Sequence, residues 1–475
     1  MNSRDEKKAE AISSSSEVQE KEILETKNEE NYALGLYESF RGKNPTFLME
    51  NKNFIIIGSV PKTLFQVKDE MTIVQYREGN INTYPREDFF KVVDEYMEEN
   101  LLKSNPELPF DGCGLLGYIG YDVISKKGLT LSQFPEAFLF EPSVYFVMDK
   151  ATGQILHSSS TEITQEIPSK LIQGHAFQKE KPFNEEHGIH DRCLCELESV
   201  PSKEDFIQMV HQVLERIERG EVNQVVLSRQ LKLKGRISPI SLYKILREIN
   251  PSPYMFIMEF DGKSLVGASP ELLLEIKDGI ALTRPIAGTR RRGKDLHEDD
   301  FFEMEMLFDD KERQEHLLLL DLSLSEFNDI CLKESIKVSK YFEVEKYNKV
   351  MHLVSQVEGK LCSCITPVQA LKASFPAGTV TGTPKNVAIK IIDEVEPISR
   401  GPYGGTIGYI GFNGNLKMSI AIRTFMQVHE ELAIQVGAGI VAGSVPEREF
   451  LETQNKAAAL VETLKIAITR RDKDA

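Results

Sequence analysis

The chain has 475 residues, 41% of them hydrophobic and 27% charged, with 31 Gly and 21 Pro; collagen-like, low-complexity and membrane-dominated classes are excluded. Its net charge of −16 repels phosphate backbones and anionic bilayers, so neither nucleic acid nor a membrane is an expected partner. No run approaches the roughly 20 apolar residues of a membrane span, and no apolar signal-peptide core follows Met1, so a cytoplasmic protein is expected.

Residues 1–30 are rich in Ser, Glu and Lys and read as a disordered tail. The apolar run Phe54 to Ile57 suggests a strand, and the Gly-punctuated segment Phe110 to Asp122 a strand and turn. The polar, aperiodic stretch Gln165 to Glu196 is a candidate linker between an N-terminal part, 31–185, and a second part, 196–475. Beyond it, Ser202 with Asp205 resembles a capping box, and Phe206, Val210, Val213, Leu214 and Ile217 recur at helical spacing until Gly220.

A strand is expected from Gln224 to Ser228, and the runs Leu265 to Ala268 and Leu272 to Ile276 read as a strand pair. Thr383 and Pro384 sit as N-cap and first residue of a helix that Pro397 ends. Asn413-Gly414 predicts a hairpin with a tight primed turn. Hairpins with interspersed helices point to an α+β fold with antiparallel sheet.

Gly and small hydroxylated residues concentrate in four places, Arg284 to Thr289, Phe375 to Thr383, Gly401 to Gly405 and Gly437 to Gly439. Backbone without Cβ can approach a ligand and present N–H donors to an anion; a tight turn explains any single one of them equally well. Glu312 with Glu315, and Glu449 with Glu452, can each share a helix face. Such carboxylates suit Mg²⁺, although a solvated helix face has the same spacing. His352 lies among apolar neighbours in Val350 to Val354, as a core residue or a proton carrier would. Arg423, on an otherwise apolar strand, demands an anion. There is no P-loop, dinucleotide fingerprint or nucleophile elbow. Six Cys, including the pairs Cys193/Cys195 and Cys362/Cys364, are too sparse for a disulfide framework and lack common zinc spacing, so all are read as reduced.

Six ordered motifs are similar to those of the chorismate-utilising enzymes, and specifically of anthranilate synthase component I. They are Arg284-Pro-Ile-Ala-Gly-Thr-Arg290, Val350-Met-His-Leu-Val-Ser355, Phe375-Pro-Ala-Gly-Thr379, Arg400-Gly-Pro-Tyr-Gly-Gly405, Gly437-Ala-Gly-Ile-Val441 and the Pro446 to Lys456 segment. The resemblance implies antiparallel sheets packed with helices in a layered sandwich. It also implies conversion of chorismate and ammonia to anthranilate and pyruvate. Gln224 stands where water-activating members carry Lys, and Ala287 where aminodeoxychorismate synthases carry a nucleophilic Lys.

By this likeness Mg²⁺ is held by Glu315 and Glu452, with Glu312 and Glu449 acting through water. Glu271 protonates the departing hydroxyl and His352 carries the proton of the pyruvate step. Tyr403, Arg423, Gly437, Ala438, Gly439 and Lys456 grip the carboxylates, and Thr379, Gln224, Ala287, Gly288 and Thr289 line the pocket. Glu38 and Ser39, with Pro251, Ser252, Pro253, Tyr254 and Met255, match a tryptophan feedback site. No Gly-x-Cys-x-Gly nucleophile is present, so a separate glutamine amidotransferase is the implied source of ammonia. The segment Ser323 to Asp329 departs from the family's Ala-Arg-Asn-Asp and Gly-Arg. That departure keeps three alternatives in view: an aminodeoxyisochorismate synthase, an aminodeoxychorismate synthase component I, and a non-catalytic regulatory paralogue.

Overall fold

The computed structural model describes residues 32–42, 45–101, 114–125, 133–158, 197–347 and 350–474. The tail 1–30 and the Gln165 to Glu196 linker lie outside the described residues. Two long strands, Phe54–Lys68 and Ala137–Asp149, pair with each other and shift register between Pro61 and Thr63. Pro61 faces Pro142 there. Neither ring nitrogen can donate to the ladder, so the sheet divides at this point.

One sheet continues from the first half of Phe54–Lys68 through Thr46–Glu50, Tyr254–Phe260, Lys263–Ser269, Thr424–Val428 and Glu431–Val441 to Gln224–Lys234. The other runs from Ala137–Asp149 through Gly114–Ile119, Thr406–Gly411, Leu416–Ile420, Leu272–Lys277 and Ile280–Thr283 to Val350–Lys360. All these pairings are antiparallel, and in each sheet strands from before the linker join edge to edge with strands from after it.

Side-chain alternation along the strands builds the layers. Phe256, Met258 and Phe260 of the first sheet share one apolar cluster with Leu116, Tyr118, Ile407 and Tyr409 of the second. Their neighbours Met255 and Ile257 instead face Tyr37, Leu246 and Leu460, on the helices 32–40, Pro239–Ile249 and Pro446–Asp474. On the far side Leu115, Ile119 and Ile410 meet Phe89, Leu320 and Leu371 of Phe89–Glu99, Asp310–Ile330 and Pro367–Ser374. Helix, sheet, sheet and helix thus stack in four layers, the α+β layered sandwich expected. Each large side chain removed from water contributes about 1.5–3 kcal/mol.

The Lys203–Glu218 helix starts as expected, with the Ser202 hydroxyl accepting from the Asp205 N–H, a cap worth about 1 kcal/mol. Four local expectations are corrected. Lys263–Ser269 and Leu272–Lys277 do not pair with each other; their partners are Tyr254–Phe260 and Thr424–Val428 for the first, and Ile280–Thr283 and Leu416–Ile420 for the second. Thr383 lies in a two-residue strand against Gln224, and Pro384 is the N-cap of Lys385–Val395. The hairpin exists, but only Gly414 of the turn pair has positive φ (81°) and its N–H bonds to the Gly411 carbonyl, so the turn is wider than a primed two-residue one. Arg423 is in a bend with φ 53° between two strands rather than on one.

Candidate active site

The candidate residues come from strands of both sheets and from the helices Asp310–Ile330 and Pro446–Asp474. At the end of the first sheet, Gln224 and the Gly437–Gly439 segment of the strand Glu431–Val441 lie side by side, with Gly439 opposite Val226 and Val441 opposite Gln224. Gln224 is buried and donates from Nε2 to Glu315 Oε1 at 2.9 Å, while its own Oε1 is buried without a hydrogen-bond partner. A Cβ at position 439 would come within 3.1 Å of Glu315 Oε1, and one at 437 within 2.6 Å of the Tyr403 hydroxyl. Glycine at both positions is what lets the main chain approach these polar atoms. Ala438, between them, points its methyl into the cluster containing Phe206 and Ile391, leaving its backbone as the part available to a ligand.

Lys456 Nζ donates to the Gly437 carbonyl at 3.1 Å and pairs with Glu452 Oε1 at 2.6 Å, one helical turn away. Arg423 donates to the Lys456 carbonyl and lies in the fields of Tyr403 and Glu452; burial lowers its pKa. Two cations and a phenol therefore gather around the glycine-containing strand segment, inside a chain of strongly negative charge.

The second sheet supplies His352. A bulge in Ile286–Arg291, between Ala287 and Thr289, sets Thr289 opposite His352, and Gly288 takes φ 60° to make it. His352 Nδ1 lies 3.0 Å from Thr289 Oγ1 and 3.4 Å from the Gly288 carbonyl. Burial lowers its pKa to about 4, so the ring is neutral at pH 7 and can accept a proton. Ala287 is buried beside this bulge.

Glu271 follows Lys263–Ser269. It is buried, and burial raises its pKa to about 7, against the opposing effects of the Thr379 hydroxyl, Lys456 and the Ile286 N–H. A cavity of about 30 Å³ touches Glu271, Thr379, Ser323 and Glu326. One neutral imidazole and one carboxyl poised near neutrality make a complementary base and acid.

The helix Asp310–Ile330 is continuous through the divergent segment. Glu326 pairs with Lys385 of the Lys385–Val395 helix at 2.5 Å, and the Ser323 hydroxyl bonds back to the Leu319 carbonyl. A lysine from another element thus provides the countercharge that the segment itself lacks.

The four glutamates of the expected metal site are oxygen donors of the kind Mg²⁺ takes, but they are engaged with protein partners. Glu315 accepts from Gln224, Glu452 pairs with Lys456, and Glu312 takes Arg290 Nη1 at 2.8 Å; Glu449 is buried. Among the described residues no three His, Cys, Asp or Glu side chains converge as a ready cage. In chemistry alone, carboxylates are the donors of Mg²⁺ sites that use one or two protein carboxylates completed by water and substrate oxygens.

The two segments expected to form a tryptophan site adjoin one apolar cluster, to which Leu36, Tyr37 and Met255 all belong. Glu38 Oε1 is held by Lys244 Nζ at 3.2 Å, Ser39 is exposed with its hydroxyl on the Leu36 carbonyl, and Ser252 Oγ turns to the Asn250 carbonyl. Tyr254 is buried, Pro253 half-buried and Pro251 exposed.

Sequence reasoning missed Arg400. It is 2% exposed, bonds Glu396 through Nε (2.9 Å) and Nη2 (2.6 Å), donates to the Val380 and Val226 carbonyls, and lies 4.5 Å from the Tyr121 ring centre. Burial opposes its charge, but the Glu396 carboxylate more than offsets that. It fixes the loop that carries Tyr403. The signal available was a cation embedded among small residues in Arg400-Gly-Pro-Tyr.

The family model for chorismate binding enzymes matches residues 70–462, and the chain belongs to that family. Among its relatives, anthranilate synthase component 1 of Aquifex aeolicus is 37% identical over 435 residues, covering 87% of this chain and 86% of that protein. The crystal structure of anthranilate synthase component I from Streptococcus pneumoniae superposes with TM-score 0.73 at 31% identity, covering 86% of this chain and 92% of that one. The menaquinone-specific isochorismate synthase of Escherichia coli shares the fold, with TM-score 0.68 at 21% identity and 90% of each chain covered.

Proposed function

We propose that the chain is the large subunit of an anthranilate synthase, a Mg²⁺-dependent lyase converting chorismate and ammonia to anthranilate and pyruvate in the cytoplasm, on the route to tryptophan. The observation that carries this reading is Gln224. An amide bonded to Glu315 cannot act as the base that water needs as a nucleophile, whereas ammonia needs none to attack. The E. coli isochorismate synthase thus shares the fold but represents a different use of it.

In this reading Arg423, Lys456 and the Gly437–Gly439 strand segment bind the substrate carboxylates, with Tyr403 as hydroxyl donor. Glu271, protonated near neutrality, delivers its proton to the departing ring hydroxyl as ammonia joins the carbon beside the ring carboxylate. His352, neutral and oriented by Thr289, accepts the ring proton as pyruvate leaves. Mg²⁺, held by Glu315 and Glu452 with Glu312 and Glu449 through water, would neutralise the ring carboxylate.

Ammonia would reach the site from a separate glutamine amidotransferase subunit. Tryptophan would inhibit by binding near Glu38, Ser39 and the Pro251 to Met255 segment. Purified protein with chorismate, Mg²⁺ and an ammonium salt tests the proposal. Formation of anthranilate supports it, and chorismate left unconsumed rejects catalysis altogether.

A further inference from the structure

The turn after Val350–Lys360 places Cys362 Sγ 2.9 Å from Cys364 Sγ. A disulfide requires 2.03–2.05 Å, so closure needs less than about 1 Å of sulfur movement. Cys364 is exposed and Cys362 half-buried, so small reagents reach the pair. Its backbone is already pinned. The Cys362 N–H donates to the Ile330 carbonyl at the end of Asp310–Ile330, and the Ile365 N–H returns to the Cys362 carbonyl, both at 2.9 Å. The third thiol nearby, Cys331, is buried, and burial raises its pKa to about 11, which keeps it an unreactive thiol.

We propose that Cys362 and Cys364 form a reversible dithiol–disulfide site for low-molecular-weight disulfides such as glutathione disulfide. The Cys362 thiolate attacks one sulfur of the reagent, breaking its S–S bond and releasing one small thiolate. Cys364 then displaces the second from the mixed disulfide. Two protein thiols are oxidised, one reagent disulfide is reduced, and the two thiol protons end on the released thiols. The contact with Cys364 Sγ and the Cys364 backbone N–H lower the Cys362 pKa, favouring Cys362 as the attacking sulfur.

The test treats the full-length folded protein with glutathione disulfide and maps tryptic peptides. Loss of two hydrogens within the single peptide Leu361 to Lys372, restored by dithiothreitol and retained in Cys331→Ser, is the expected result. Cys362→Ser and Cys364→Ser should each abolish that loss while leaving the circular dichroism spectrum unchanged. Persistent glutathione adducts on either cysteine, a link to Cys331, or no modification would each overturn the proposal.

Discussion

Gln224 donates to Glu315 across 2.9 Å, joining the first strand residue of one sheet to the helix that carries the acidic pair on the other side of the site. This bond ties the nucleophile question to the metal question, because one carboxylate faces both. It also explains why the site takes shape only in the folded chain: the two residues are 91 positions apart.

In the proposed mechanism Glu271 and His352 set the pH dependence. With pKa values of about 7 and about 4, the acid must be protonated and the base deprotonated. The rate per unit of free ammonia should therefore rise through an acid limb near pH 4 and fall through an alkaline limb near pH 7. Glu271→Gln should lower kcat by about 10²–10⁴-fold and remove the alkaline limb; an unchanged profile in that variant would assign the limb elsewhere.

His352→Ala should slow elimination more than amination, so aminodeoxyisochorismate builds up. Chromatography of single-turnover mixtures reads this directly, and equal slowing of both stages would remove the assigned role.

Arg400→Met leaves Glu396 charged and buried without its main partner. A loss of about 3–5 kcal/mol is expected, measured by urea unfolding. A change below about 1 kcal/mol would show that the Tyr403 loop is held by other contacts.

Glu38→Ala and Ser39→Ala should abolish tryptophan inhibition with kcat retained. Since Lys244 holds Glu38, Lys244→Met should weaken inhibition as well. Inhibition curves that coincide with those of the unmodified protein would refute the regulatory assignment.

Much of this is legible in the sequence. Ser202 and Asp205 announced their helix because a cap is a local bond, and the paired glutamates were legible because helical spacing is periodic. The Thr424–Val428 partner of Leu265 to Ala268 is not, because a strand about 160 residues away leaves no local mark. The apolar neighbours of Arg423 suggest a strand residue, yet its positive φ depends on what packs around the bend. Arg400 escaped because its partner Glu396 lies a helical turn before it, across the helix end, and its other contacts are carbonyls that sequence does not display.

The most direct test of the central claim is product identification by mass spectrometry after incubation with chorismate, Mg²⁺ and an ammonium salt. The site described here predicts anthranilate and pyruvate in equal amounts. Isochorismate as the product, or chorismate recovered intact, would contradict it.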